Sequence, residues 1–241
     1  KTPVRFVLMA VILNTILDPV LISVFDLGIA GAAYATIISQ GAAFVYGLVF
    51  SLVKANVPFT VPTLPTFNHM KTIVKFGLPS GLSMIVISGG SMAIMTVVTS
   101  FGEYVVAGFG AAQRLDNLIM LPAMTLGTAV TSMAGQNIGA KRWDRVNSIA
   151  KNGLGLILTV TFTISSMVFI FAGFLISLFV QDAETVAFGK VYVQSIAFFY
   201  PFLGINFVLN GIIRASGAMF QVFILNIISF WILRYPLSYL V

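Results

Sequence analysis

Hydrophobic and polar positions in this chain fall into long blocks rather than short alternations. Residues 29–53, 76–102, 154–180 and 191–213 contain no Asp, Glu, Lys or Arg. Each block is long enough for a helix to cross a bilayer core, which takes about 20 residues at a rise of about 1.5 Å each. Solid apolar blocks point away from a β-barrel, whose strands read as short alternating segments. The pattern predicts seven spanning helices, at about 5–25, 29–53, 70–99, 104–135, 148–179, 186–211 and 218–240. Asp26, Leu27 and Gly28 mark the first tight turn. The stretch NVPFTVPTLPTFNH, residues 56–69, is too polar and proline-rich to span, so it reads as a linker. It divides a segment 1–55 from a segment 70–241. The expected fold class is all-α, a polytopic transmembrane helical bundle.

Composition strengthens this reading. Charged residues make up 8% of the chain and mean hydropathy is +1.02, against about 25% charge in an average soluble domain. The first segment lacks the small cleavable pattern of a signal peptide. The chain starts at Lys1 without a methionine and stops at Val241 inside an apolar stretch, which suggests a piece of a longer polypeptide. The absence of cysteine excludes disulfides and thiolate metal sites.

The net charge of +6 raises the question of a nucleic-acid partner, and its placement answers no. With seven crossings, Lys1 and Arg5, Lys54, Lys71 and Lys75, the cluster Lys141, Arg142, Arg145 and Lys151, and Arg214 all fall on one side. The positive-inside rule makes that side cytoplasmic. The opposite turns carry Asp26, Glu103, Asp182 and Glu184, with Lys190 nearby. A miscount of one helix would scramble this agreement.

Polar residues inside the spans are the candidates for chemistry. Asp18 sits mid-span, where a carboxylate costs about 2.5–3.5 kcal/mol on insertion scales and therefore faces protein. Asn14, four residues earlier, shares its helical face. Together they offer hard oxygen ligands for a small cation or a proton. Pro19 deprives the Thr15 carbonyl of its usual amide donor and bends the helix, a common ingredient of transporter ion sites. The competing reading makes Asp18 a neutral, hydrogen-bonded packing residue. In the next span, Gly28, Gly31, Ala32 and Ala35 permit close helix approach. Thr36 and Gln40, one turn apart, add oxygens towards the same face, although a membrane threonine more often bonds its own backbone.

Further along, Gln113, Arg114 and Asn117, with Asp116 nearby, form either an interhelical polar lock or a cavity lining. Asn206, Asn210 and Arg214 make a polar stripe at four-residue spacing. The stretch GQNIGAKRWDR, 135–145, combines Gly135 and Gly139, which permit a bend, with a charged and aromatic interfacial signature at Lys141, Trp143 and Arg145. No glycine-rich turn leads into Lys-Ser or Lys-Thr, so there is no case for ATP hydrolysis. His69, the only histidine, falls in the linker. No nucleophile, base and orienter come together, and an enzyme is not expected.

Several stretches together resemble the multidrug and toxic compound extrusion family, the MATE transporters. They are LNTILDPVLI followed by GIAGAAYATIISQ, FGLPSGLS at 76–83, and GQNIGAKRWDR, with weaker support from NGIIRASG at 210–217 and RYPLSYL at 234–240. The resemblance implies twelve helices in two six-helix lobes related by an internal repeat. It also implies export of organic cations or amphipathic compounds, driven by inward sodium or protons. By that likeness the chain runs from the fifth to the eleventh helix. Residues 1–55 would be the last two helices of the amino-terminal lobe, 56–69 the inter-lobe linker, and 70–241 the first five helices of the carboxy-terminal lobe.

The same likeness maps a coupling-cation site of the amino-terminal lobe onto Asn14, Asp18 and Thr36, with sodium or a proton as the ion. A first-helix aspartate of that site is not in this chain. One branch of the family carries a glutamate in the seventh helix and an aspartate in the tenth. Here the matching stretches, MIVISGGSM and FLGINFVLN, have no acid, so no carboxylate cation site is expected in 77–217. The expected protein is a cation-coupled antiporter of the cell membrane that works by alternating access. Its expected partners are an amphipathic or cationic substrate, lipids and its missing amino-terminal helices, with no resident cofactor. The alternatives are a flippase for a lipid-linked precursor, or a non-transporting membrane scaffold.

Overall fold

In a computed structural model of the protein, residues 2–53 and 65–239 are described, side chains from Val4 onward. Lys1, Lys54 and most of the expected linker, 56–64, lie outside the described residues. The chain separates into two compact units, Lys1–Leu64 and Pro65–Val241.

The first unit is a helical hairpin. Helix α1 spans Thr2–Pro19 and α2 spans Gly28–Val53. Directly after Pro19 the backbone leaves the α register and makes one π turn over Val20–Val24. The cause is local: Pro19 has no amide hydrogen to donate to Thr15, and the wider winding of a π turn absorbs the missing bond. The Phe25 amide donates to the Val20 carbonyl at 3.0 Å and the Leu27 amide to Leu21 at 3.2 Å. Asp26 and Gly28 both take left-handed φ, 52° and 51°, reversing the chain where the turn was expected.

Gly31 closes the hairpin. A Cβ added there would lie 2.7 Å from the Leu21 carbonyl oxygen, so α2 rests directly on the backbone of the π turn. Gly31, Ala35 and Ser39 are the buried residues of α2. Small side chains thus set the helix separation, as the sequence pattern indicated.

The second unit begins with α3, Phe67–Thr99, and α4, Glu103–Gly139. It continues through α5, Trp143–Ser177, α6, Ala183–Ala197, and α7, Tyr200–Ala215. Its last span is α8, Met219–Ile227, a π segment Ile228–Arg234 and a short α9, Tyr235–Leu237. Helix α4 is the hub and packs on α5, α6 and α7. One core cluster gathers Ala112, Leu115, Ile119, Val168, Val193 and Tyr200, and a second gathers Ala123, Val130, Ile157 and Val208. Gly211 brings α7 against α4 so closely that a Cβ would meet the Gly127 carbonyl oxygen at 2.6 Å. The Trp231 indole donates to the Val86 carbonyl at 3.2 Å and ties the last span to α3.

Three expectations are corrected. Residues 67–69, assigned to the linker, form the first turn of α3, where His69 Nδ1 meets the Thr66 hydroxyl at 3.0 Å. The sixth segment is not continuous: α6 and α7 meet at a 52° bend. Pro201, in the first turn of α7, explains the break, because it has no amide hydrogen to donate back to Ala197 and so cannot continue α6. Gly135 makes no bend. Helix α4 runs through it to Gly139, and the chain turns at Ala140–Arg142 with Lys141 at φ 57°. Among the described residues six helices are long and apolar enough to span a membrane, or seven if the bent pair α6–α7 crosses as one span.

Candidate functional site

The π turn and the Gly31 contact bring one face of α1 against α2 at the level of Asn14. The Asn14 amide nitrogen donates to Asp18 Oδ1 at 3.3 Å along its own helix, and lies 3.5 Å from Thr36 Oγ1 across the hairpin. Thr36 donates its own proton to the Ala32 carbonyl at 3.0 Å, which leaves its oxygen lone pairs directed to Asn14 as an acceptor. Asn14 and Asp18 are half-buried, whereas Thr36 and Gln40 are exposed. The structure therefore gathers Asn14, Asp18 and Thr36, and Gln40, one turn further along α2, joins neither of these hydrogen bonds.

The bonds at Asn14 are long for N–H···O contacts, which cluster near 2.9–3.0 Å. One carboxylate, one amide and one hydroxyl make a hard-oxygen set, suited to an alkali cation or a proton rather than to a thiophilic or imidazole-bound metal. Among the described residues, no group of three His, Cys, Asp or Glu side chains could hold a metal ion.

In the second unit, Gln113, Arg114 and Asn117 are exposed on α4. Asn210 donates to the Asn206 backbone carbonyl at 3.0 Å and to its side-chain oxygen, so this pair is joined as a stripe along α7. The residue that sequence reasoning undervalued is Asp116. It points away from those three neighbours into the core and accepts a hydrogen bond from the hydroxyl of Tyr200 on α7, whose side chain is 1% exposed. An interhelical polar bond is made here by Asp116 and Tyr200, not by Gln113, Arg114 or Asn117. The two partners lie 84 residues apart, and no local spacing signals the bond. Beside it, a cavity of about 470 Å³ is lined by aromatics including Phe109, Phe188 and Tyr192, with Arg234 at its wall.

The MatE family profile matches residues 79–240. The probable multidrug resistance protein YpnP of Bacillus subtilis is 56% identical over 238 residues, covering 99% of this chain and 54% of that protein. The probable multidrug resistance protein NorM of Thermotoga maritima is 28% identical over 221 residues, covering 89% of this chain and 46% of its own length. This chain thus spans about half the length of the curated relatives it matches. Among solved structures, an outward-facing multidrug resistance MATE family transporter of the MOP superfamily superposes with TM-score 0.88 at 22% identity, over 98% of this chain and 54% of that one. A MOP superfamily transporter from Pyrococcus furiosus, described as having a binding pocket of reversed polarity, gives 0.87 at 22% identity, over 98% and 54%. With profile and relatives in agreement, this chain belongs to the MatE family, and its long apolar helices are those of a multi-pass membrane protein.

Proposed function

We propose that this chain forms part of a secondary active antiporter that exports organic cations or drugs in exchange for inward sodium or protons. The carrying observation is the half-buried pair Asn14 and Asp18, met by Thr36 across the hairpin, in a chain whose close relative bears the name of a multidrug resistance protein. Seven apolar segments in about half the length of its relatives fit the fifth to eleventh helices of a twelve-helix transporter. On that reading, 1–55 closes the amino-terminal lobe and 70–241 opens the carboxy-terminal one.

Asp18 carries the charge that the ion neutralises. The Asn14 amide, loosely held, turns its oxygen inward when a cation arrives and its nitrogen when only the carboxylate is present. Thr36 supplies a neutral oxygen from α2. Because the site lies next to the π turn, filling it changes the winding at Pro19 and so the relation of α1 to α2. An ion drives transport only if it binds the two conformations unequally, and a turn that can exchange π for α winding supplies two such states.

The test is transport by the full-length protein in proteoliposomes, with a fluorescent organic cation as cargo and sodium or proton gradients imposed separately. One gradient should drive export, and Asp18→Asn should abolish the coupling while the protein stays folded. Export that Asp18→Asn leaves unchanged would make the carboxylate structural. Movement of a lipid-linked sugar in place of the cation would make the protein a flippase.

A further inference from the structure

A groove of about 420 Å³ runs between the cytoplasmic end of α4 and the start of α5. Its composition changes along its length. Asn137, Arg145 and Ser148 line one end, Met133, Ile149 and Asn152 follow, and the other end is wholly apolar with Leu126, Ala129 and Leu156. Because α4 and α5 run antiparallel through the turn at 140–142, residues 137 and 145 share one level and residues 126 and 156 share another. Both intervals are eleven residues, or about 16 Å of helix rise. That matches half of the roughly 30 Å hydrocarbon core. Val130 and Gly153, both buried, form the floor, and a Cβ on Gly153 would sit 3.1 Å from Val130.

We propose that this groove seats one anionic phospholipid of the cytoplasmic leaflet. Arg145, exposed at the mouth, binds the phosphate, with the Asn152 amide below it as a second polar contact. Ser148 and Asn137 are already engaged, donating to the carbonyls of Asp144 at 3.1 Å and Met133 at 2.8 Å. An acyl chain then runs down the apolar half past Ala129 and Leu156. The charge selects an anionic over a zwitterionic headgroup, since basic pockets between helices at this membrane face attract acidic lipids. The polarity gradient selects a lipid over a soluble phosphate, for which the lower apolar half would have no use. Lys141 and Arg142 in the adjoining turn, with Trp143 at the start of α5, do not line the groove but raise the local supply of acidic lipid.

The test is native mass spectrometry of the full-length detergent-purified protein, equilibrated with equal phosphatidylglycerol and phosphatidylcholine. The wild type should retain one phosphatidylglycerol preferentially. Arg145→Gln should weaken that retention roughly five-fold, the effect of one basic group at an acidic surface, and leave phosphatidylcholine unchanged. Ala129→Trp should reduce retention of both lipids by filling the apolar half. Equal retention by the wild type and both variants would overturn the proposal. A second readout avoids charge substitution: a fluorophore on Ala129→Cys in nanodiscs should be quenched more by brominated phosphatidylglycerol than by brominated phosphatidylcholine. Equal quenching by the two lipids would overturn selectivity. No quenching by either would mean that protein covers the groove, which would also overturn the proposal.

Discussion

At the residue scale, what could be read in advance depended on sequence separation. Asn14 and Asp18 lie four apart, so helix geometry alone puts them on one face, and Thr36 follows from the short turn at 26–28. Asp116 was visible as a carboxylate in an apolar block, but its Tyr200 partner is set only by how α7 packs on α4. Removing that bond gives a sharp prediction. An interhelical hydrogen bond inside a membrane contributes about 0.6 kcal/mol on average and up to about 1.7, so Tyr200→Phe should lower unfolding stability by about that amount. Asp116→Ala combined with Tyr200→Phe should cost less than the sum of the two single changes, because each removes the same bond. A double-mutant cycle from thermal unfolding in detergent measures it, and strict additivity would dismiss the lock. Asp182 offers a pH test outside the membrane. It caps α6, accepting from the backbone amide of Thr185 at 2.8 Å and from its hydroxyl at 2.7 Å. These bonds, the amide first, hold its carboxyl below the ordinary aspartate range. A depressed folded value stabilises the fold above the unfolded value and loses that effect as pH falls through the folded one. The wild type should therefore melt above Asp182→Ala at neutral pH, with the gap narrowing only in strong acid. A gap that stays constant with pH would mean the carboxylate charge has no part in the cap.

At the element scale, the apolar pattern anticipated the six long helices found among the described residues, while the irregularities inside them were only half legible. Pro19 announced a distortion, yet not that the chain would resolve it as a π turn rather than a kink. Pro201 carried the same warning for the sixth segment, but a continuous apolar run masked it. Tertiary fit chose the outcome: the π turn exposes the Leu21 backbone to Gly31, and that contact fixes the hairpin. Two alanine substitutions in one helix isolate it. At Gly31 a new Cβ meets backbone at 2.7 Å, whereas Gly41 has nothing within 4 Å. Gly31→Ala must push α2 off the turn, and overpacking of this kind costs about 1–3 kcal/mol. Gly41→Ala adds helix propensity at no steric cost and should be neutral or stabilising. Thermal unfolding of the two variants should differ in sign. If Gly31→Ala melts at or above the wild type, the close approach is not what holds the hairpin.

At the scale of the whole molecule, charge placement and span count support each other, and the bent pair α6–α7 is where both can be tried. If the pair crosses as one span, the turn after α7, at Ser216, faces the same side as the basic turn at Ala140. If it dips in and returns, Ser216 joins Ser100 and Gln181 on the other side. The two arrangements cannot be told apart by hydropathy, because a broken span and a re-entrant loop need the same apolar residues. They differ in what the 52° bend requires. A re-entrant loop must hide its irregular backbone inside protein, and the bend is indeed walled in, with Ala197 and Tyr200 almost fully buried. A broken span needs that wall as well, so burial alone does not decide. Packing and charge do: Gly108 at the start of α4 lies against Thr185 of α6, and Gly135 near its end against Ala215 of α7. The pair therefore runs along α4, and Arg214 at the end of α7 joins the side of the basic turn at 140–145, as the positive-inside rule favours. Because this chain has no cysteine, single substitutions can report its sidedness in full-length protein otherwise free of cysteine. In intact cells a membrane-impermeant maleimide should label Ser100→Cys and Gln181→Cys. Ala140→Cys and Ser216→Cys should label only after permeabilisation. Labelling of Ser216→Cys from outside would make α6 and α7 a re-entrant pair and reverse the orientation of the last span.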